Sequence, residues 1–141
     1  VGYIFGNIIN SKLTPMVGLE KMCFVGTVCS FCTVFIFFLN NNLGENGSLT
    51  LSLICVLFGC SNGFAVANSM TGAINSSKLN KGAASGLMGA FQVGSGGLAG
   101  FLIIFFGGAE NFNICLFALF IMSGISIISS YLVLNKKNII A

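Results

Sequence analysis

Cysteine is prominent among the few residues of this sequence whose side chains could bind a metal or carry out catalysis. The chain has six cysteines, three acidic residues and no histidine. Cys29 and Cys32 form a Cys-x-x-Cys pair, which raises the possibility of a metal site or a disulfide. Tetrahedral zinc needs four ligands, and neither a second such pair nor a histidine is present. We therefore interpret the cysteines as small apolar residues packed in helices, and predict no metal site, no cofactor and no catalytic residue.

Neutral amides inside long apolar stretches carry the remaining polar chemistry. Asn62, Asn68 and Gln92 each lie far from any charged residue. An amide without a partner is costly in hydrocarbon, so each must bond to another helix or face water. We expect these three residues to lie at a substrate cavity. Three alternatives stay open for Asn68 and Gln92: a hydrogen bond between the third and fourth apolar stretches, direct contact with a substrate, or exposure to lipid.

Four stretches without any charged residue must position these amides, at about 22–39, 49–74, 83–106 and 112–134. Even the shortest would reach about 27 Å as an α-helix, close to the thickness of a bilayer core. A mean hydropathy of +0.98 with 6% charged residues excludes a soluble domain of this length. The apolar runs do not alternate as barrel strands do. The sequence therefore predicts an all-α, polytopic transmembrane helix bundle.

The first 21 residues are expected to hold the end of one more helix and a loop. Residues 1–9 are apolar but too short to span a bilayer, so we interpret them as a partial helix. Pro15 and Gly18 are helix-breaking residues and predict a loop over 10–21. On this interpretation, residues 1–141 are a fragment of one transmembrane domain.

The lysines predict the orientation of the chain in the membrane. All six lie at 10–21, at 75–82 or in the C-terminal tail, whereas the other two gaps contain only Glu45 and Glu110. Cytoplasmic loops accumulate Lys and Arg. We therefore expect an integral protein of the cell inner membrane with a cytoplasmic C-terminus. Because no basic cluster exceeds two residues, nucleic acid is not an expected partner.

Glycine spacing predicts where helices approach closely. Gly59 and Gly63 are four residues apart, which permits a close contact or a bend. A second set of glycines recurs along one face of the stretch at 83–106. We call this set the glycine stripe, and its members are Gly82, Gly86, Gly89, Gly96 and Gly100. Small residues at such spacing let two backbones touch in lipid, so the stripe is a predicted packing face.

Two segments of the chain resemble a known transporter family. The first is GNIINSKL at 6–13 followed by GLEKM at 18–22, and the second is Asn68-Ser69 followed by GAASGLMG at 82–89 and Gln92. Together they resemble the C-terminal part of the major facilitator superfamily, most of all the Bcr/CflA group of drug:proton antiporters. The resemblance makes the first segment a cytoplasmic loop motif, formed by Gly6, Asn10, Lys12, Gly18 and Lys21.

The resemblance implies that the four spans are helices nine to twelve of a major facilitator fold. Helices ten and eleven would then line the central cavity within the C-terminal six-helix half. The implied activity is secondary active transport, a multidrug or small-solute efflux by proton antiport with alternating access. The implied partners are the lipid bilayer, protons, a small lipophilic or uncharged substrate, and the missing N-terminal half, which is expected to carry the proton-binding carboxylate.

Another class of function stays open from the residues alone. The chain could be a small oligomeric four-helix membrane protein whose glycine stripe is a self-association face. Multidrug exporters built from four helices have a comparable length, but they need an acidic residue within a span, and the four stretches contain none. A membrane-embedded enzyme is not expected, because the spans lack the His, Asp and Arg residues that catalysis would use.

Overall fold

The computed structural model is built from α-helices throughout residues 1–44, 47–77 and 80–140, the part of the chain that it describes, with side chains described as far as residue 136. The helices are α1 (Gly2–Val17), α2 (Leu19–Asn42), α3 (Ser48–Ser76), α4 (Lys81–Phe105) and α5 (Phe112–Ile140). Within these residues, α2, α3, α4 and the Phe112–Lys136 part of α5 are long and apolar enough to cross a membrane. The prediction of an all-α, multi-pass membrane protein is confirmed.

The predicted loop over 10–21 is wrong, because α1 continues to Val17 and α2 begins two residues later. Pro15 lies in the last turn of α1, where its missing N–H removes the single bond to the carbonyl of Ser11 without ending the helix. The helix ends at Gly18 instead, whose φ of 96° favours glycine. The partial helix expected at 1–9 is thus only the first half of α1.

The helices form a bundle centred on α2 and α3. α1 packs along α3 in parallel, and α2 packs against α3 in the opposite direction. α5 covers another side of α2 and runs antiparallel to it, since Thr27 meets Ser130 near one end and Asn41 meets Asn113 near the other. Glycine permits the α2–α3 crossing, because a Cβ on Gly26 would lie 2.5 Å from the backbone nitrogen of Ala65.

These helix directions place the described lysines toward one end of the bundle. The end of α1, the start of α2, the end of α3 and the end of α5 all lie there. Lys12, Lys21 and Lys136 belong to those segments, Lys81 begins α4 shortly after the end of α3, and all four lysines are exposed. Glu110 precedes α5 and therefore lies toward the opposite end. Glu45 and the side chains of Lys78 and Lys137 lie outside the described residues.

α4 differs from the other helices in its environment. Asn80 caps its first turn by accepting a 3.1 Å hydrogen bond from the Ala83 N–H, and Gly107 with a φ of 86° follows its end. Nevertheless, α4 has no buried residue among those described. It meets α3 and α5 only sparsely, so most of its surface is open to lipid or to a partner.

Candidate functional site: a polar groove in a membrane bundle

Four glycines bring α1 and α3 into backbone contact, and we call them the glycine seam. They are Gly2 and Gly6 on α1, with Gly59 and Gly63 on α3. A Cβ on Gly63 would lie 2.9 Å from the nitrogen of Asn7, so no side chain fits there. The predicted helix-packing residues Gly59 and Gly63 therefore lie at a close contact. Their partner is α1, of which the sequence predicted only the part at 1–9.

A cluster of polar side chains continues the seam by one to two turns. Asn68 is 3% exposed, and its Nδ2 donates to Asn10 Oδ1 at 2.6 Å and to the Phe64 carbonyl at 2.7 Å. The Thr14 hydroxyl lies 2.9 Å from Asn10 Oδ1 and 3.1 Å from Asn68 Oδ1, and donates its proton to one of them. These bonds satisfy the Asn68 amide in an environment where an unpaired amide would be costly.

Asn68 and Gln92 lie in different environments in the structure. Asn68 forms an interhelical bond, but to α1, whereas Gln92 is exposed on α4 and makes no side-chain hydrogen bond within the described residues. The reason is the glycine seam, which draws Asn68 toward Asn10 and away from α4. Of the alternatives left open, the interhelical hydrogen bond therefore exists for Asn68, with α1 rather than α4 as the partner helix.

The glycine stripe of α4 also has no partner inside the described chain. A Cβ on Gly86, Gly89, Gly96 or Gly100 would meet nothing within 4 Å, and on Gly82 it would meet only the Asn80 side chain at 3.6 Å.

Most residues of the predicted cytoplasmic loop motif lie in helices rather than in a loop. Gly6, Asn10 and Lys12 belong to α1, Gly18 joins two helices, and Lys21 lies in the first turn of α2.

A groove of about 610 Å³ lies between α2, α3 and α5. We call it the α2–α3–α5 groove. Its lining is rich in small and polar residues, contributed at helical spacing by one face of each helix: Leu19, Glu20, Cys23 and Thr27 from α2, Asn62, Ala65, Val66, Asn68, Ser69, Gly72, Ala73 and Ser76 from α3, and Ser126, Ser129, Ser130 and Val133 from α5. Of the three amides predicted to line a cavity, Asn62 and Asn68 do so.

The wall of the groove between α2 and α5 is held by polar and aromatic contacts. The hydroxyls of Thr27 and Ser130 lie 2.8 Å apart and are buried. Further along the same interface, the rings of Phe31 and Phe120 have their centroids 4.9 Å apart. Such pairs add about 0.5–1.5 kcal/mol beyond the burial of their area. These contacts hold α5 beside α2, and α3 forms the remaining wall of the groove.

No family model, curated protein or solved structure matches this chain. The resemblance to the major facilitator superfamily thus rests on the sequence segments quoted above.

The cysteines do not form a metal site in the described structure. Within the residues searched, no group of three or more His, Cys, Asp or Glu side chains is placed to hold a metal ion. Cys29 and Cys32 are exposed on α2 as free thiols. Cys60 lies in the glycine seam, where its Sγ is 3.1 Å from the Gly2 carbonyl oxygen. This contact makes Cys60 a natural reporter of the distance between α1 and α3.

Sequence reasoning missed part of the site for a specific reason. Gly2, Gly6, Asn10 and Thr14 recur every four residues, and this spacing marks a single helix face. The interpretation of 10–21 as a loop, based on Pro15, concealed that repeat. Ser126, Ser129 and Ser130 lie on one side of α5, but nothing in the sequence indicates that this side faces the groove.

Proposed function

We propose that this chain is the later part of the C-terminal half of a secondary active transporter that exports drugs or other small solutes by proton antiport. The observation that carries the proposal is the α2–α3–α5 groove, a polar cavity of about 610 Å³ within an otherwise apolar multi-pass chain. Polar groups inside a membrane region are costly and are commonly kept for a solute or ion pathway. The sequence segments that resemble the Bcr/CflA group point to the same activity.

The open surface of α4 supports a partner outside the described residues. α4 has six glycines at which an added Cβ would meet no atom within 4 Å, and its Gln92 is exposed. Such a helix is poorly suited to face lipid on all sides. In the proposed transporter, this face packs against the remaining helices and moves against them during alternating access. The inner-membrane location and cytoplasmic C-terminus belong to the same proposal and are supported by the lysines at one end of the bundle.

Measurements of drug susceptibility test the proposal and distinguish the roles of Asn62 and Asn68. The gene product that contains this chain is expressed in cells deleted for their own exporters, and inhibitory concentrations are measured for a panel of uncharged and cationic compounds. Protection that disappears with a protonophore is the expected result. Asn62→Leu should change which compounds are exported, because Asn62 lines the groove. Asn68→Leu should depress all of them alike, because Asn68 holds α1 to α3. Equal susceptibility of cells with and without the gene product contradicts the proposal.

The same open face favours one second candidate, a small oligomeric membrane protein joined through α4. In that case Gly89→Cys, in a background without other cysteines, should form a disulfide-linked dimer in native membranes under mild oxidation. Ile104→Cys, an exposed residue on the same helix, provides the matched control for random collision. Efficient crosslinking at position 89 alone favours self-association, whereas equal or absent crosslinking at both positions leaves the transporter as the better account.

A further inference from the structure

A second cavity, of about 520 Å³, lies between the last turns of α1 and the end of α3. We call it the α1–α3 pocket, and the residues that line it include Asn10, Ser11, Pro15, Ala67 and Thr71. Leu19 and Asn68 line both this pocket and the α2–α3–α5 groove. No charged residue lines the pocket within the described part of the chain. Because an ion would find no opposite charge there, the pocket suits an uncharged ligand.

The neighbours of Asn10 fix the orientation of its side-chain amide. Asn68 Nδ2 donates to the Phe64 carbonyl at 2.7 Å, which assigns the nitrogen of the Asn68 amide. The same nitrogen donates to Asn10 Oδ1 at 2.6 Å, so Oδ1 faces Asn68 and the Nδ2 of Asn10 faces away from it. This Nδ2 makes no hydrogen bond within the described residues, although Asn10 is only 6% exposed.

The unpaired amide nitrogen of Asn10 opens into the α1–α3 pocket. Among the described residues, every fully enclosed polar side-chain atom has a hydrogen-bond partner, so the unpaired Nδ2 must be accessible. Asn10 lines the α1–α3 pocket and does not line the α2–α3–α5 groove. A donor left without an acceptor in an apolar surrounding is costly. The pocket therefore favours a ligand with an oxygen acceptor.

Acceptors on both helices accompany that donor. Pro15 has no N–H, so the carbonyl of Ser11 lacks the partner that a helix would give it, and both residues line the pocket. On α3, the Thr71 hydroxyl donates its single proton to the Ala67 carbonyl at 2.8 Å, which leaves the Thr71 oxygen as an acceptor. A ligand therefore meets two donor hydrogens on one amide and oxygen acceptors on α1 and α3.

We propose that the α1–α3 pocket binds a primary carboxamide attached to a small apolar body. The carboxamide carbonyl accepts from Asn10 Nδ2, and its NH₂ group donates one hydrogen to the Ser11 carbonyl and the other to the Thr71 oxygen. A ketone would leave both acceptors unused, and a hydroxyl group has one proton for two acceptors. The apolar body contacts Pro15 and Ala67. This site is separate from the groove and does not depend on the proposed transport function.

Three ligands of one shape test this match of donors and acceptors. The gene product that contains this chain is placed in phosphatidylcholine nanodiscs, and equilibrium dialysis measures radiolabelled cyclohexanecarboxamide, cyclohexyl methyl ketone and cyclohexanecarboxylate, with empty nanodiscs as the correction for partitioning. The ketone keeps the carbonyl and the shape but loses both donor hydrogens.

We expect the carboxamide to bind at least about tenfold more tightly than the ketone, as one to two hydrogen bonds would give. The carboxylate should show no binding above the correction. The proposal is overturned if the ketone or the carboxylate binds as tightly as the carboxamide. It is also overturned if none of the three binds, since the pocket would then hold water only.

Two variants localise the site without changing the bond between Asn10 and Asn68. Pro15→Ala restores the N–H that the Ser11 carbonyl lacks, so carboxamide binding should weaken by about fivefold while ketone binding stays the same. Thr71→Val removes the acceptor on α3 at nearly constant shape and should have the same effect.

Thr50→Val, the same change near the start of α3, is the matched control and should leave both affinities unchanged. Asn10→Leu removes the donor and should abolish binding of the carboxamide and the ketone alike. If this last variant does not fold, Pro15→Ala and Thr71→Val decide the assignment. Unchanged carboxamide affinity in both of them overturns it.

Discussion

Adding one methyl group to the glycine seam should separate α1 from α3. In Gly63→Ala, the new Cβ would lie 2.9 Å from the nitrogen of Asn7 and 3.0 Å from the Cα of Gly6. Both are backbone atoms, which cannot rotate away as a side chain can. An ordinary Cβ contact begins near 3.4 Å, so α1 has to move outward by about the difference, 0.5 Å. That movement also stretches the 2.6 Å bond between Asn68 and Asn10.

The size of the effect follows from three contributions. Overpacking costs about 1–3 kcal/mol. Exchanging glycine for alanine within a helix returns about 0.5–1 kcal/mol. An interhelical hydrogen bond in a membrane protein contributes about 0.6 kcal/mol on average, and part of it is lost. The middle of these ranges gives a net destabilisation of about 1.5 kcal/mol for Gly63→Ala.

Gly89→Ala is the matched control, because the same methyl group added to α4 would meet nothing within 4 Å. Unfolding by SDS in mixed micelles, followed by circular dichroism, measures the free-energy difference for both variants. The labelling rate of Cys60 by a thiol reagent, with the other cysteines replaced, reports whether α1 has moved. We expect lower stability and faster labelling for Gly63→Ala only. Equal stability of the two variants together with unchanged labelling would refute the close contact.

Three further predictions concern the polar cluster, the topology and α4. Asn10→Ala and Asn68→Ala should each lower stability by about 1 kcal/mol, and the double variant should cost less than the sum, which a double-mutant cycle measures in the same unfolding assay; strict additivity contradicts the bond between them. Single cysteines at Glu110 and Lys136 should be labelled by an impermeant thiol reagent from opposite sides of the membrane, as should the pair at Glu45 and Lys78, and labelling of either pair from one side contradicts the topology. Gly89→Leu should reduce transport by the intact gene product more than Phe37→Leu does in the same susceptibility assay. The glycine stripe needs a closely fitting partner, whereas Phe37 only packs against a ring of α5, with the centroids 5.7 Å apart. Equal activity of the two variants would contradict a packing role for the stripe.

The existence and class of the helices could be predicted because lipid imposes a single rule. Each span must satisfy its own backbone hydrogen bonds, so uninterrupted apolar length is enough to predict a helix. The predicted spans agree with α2, α3 and α4 within three residues at each end. The amides were expected to bond to another helix or face water, and Asn68 is 3% exposed and bonded to α1.

Features that depend on which helices pack against one another could not be predicted in the same way. Pro15 is a strong local signal for a loop, but in the last turn of α1 it removes only one hydrogen bond, so the helix continues. The partner of Asn68 depends on which helix the glycines admit, and a single sequence does not specify that choice. The groove is likewise a property of three helix faces together. Only its α3 face carried amides that suggested a cavity.

Proton-driven export is the central claim, and transport in a purified system tests it most directly. The gene product containing this chain is reconstituted into vesicles, a pH gradient is imposed, and uptake of a radiolabelled lipophilic, uncharged drug is followed, with empty vesicles correcting for spontaneous partitioning. The account predicts uptake above this correction that requires the gradient and ends when a protonophore is added. Uptake that equals that of the empty vesicles, with and without the gradient, would contradict it.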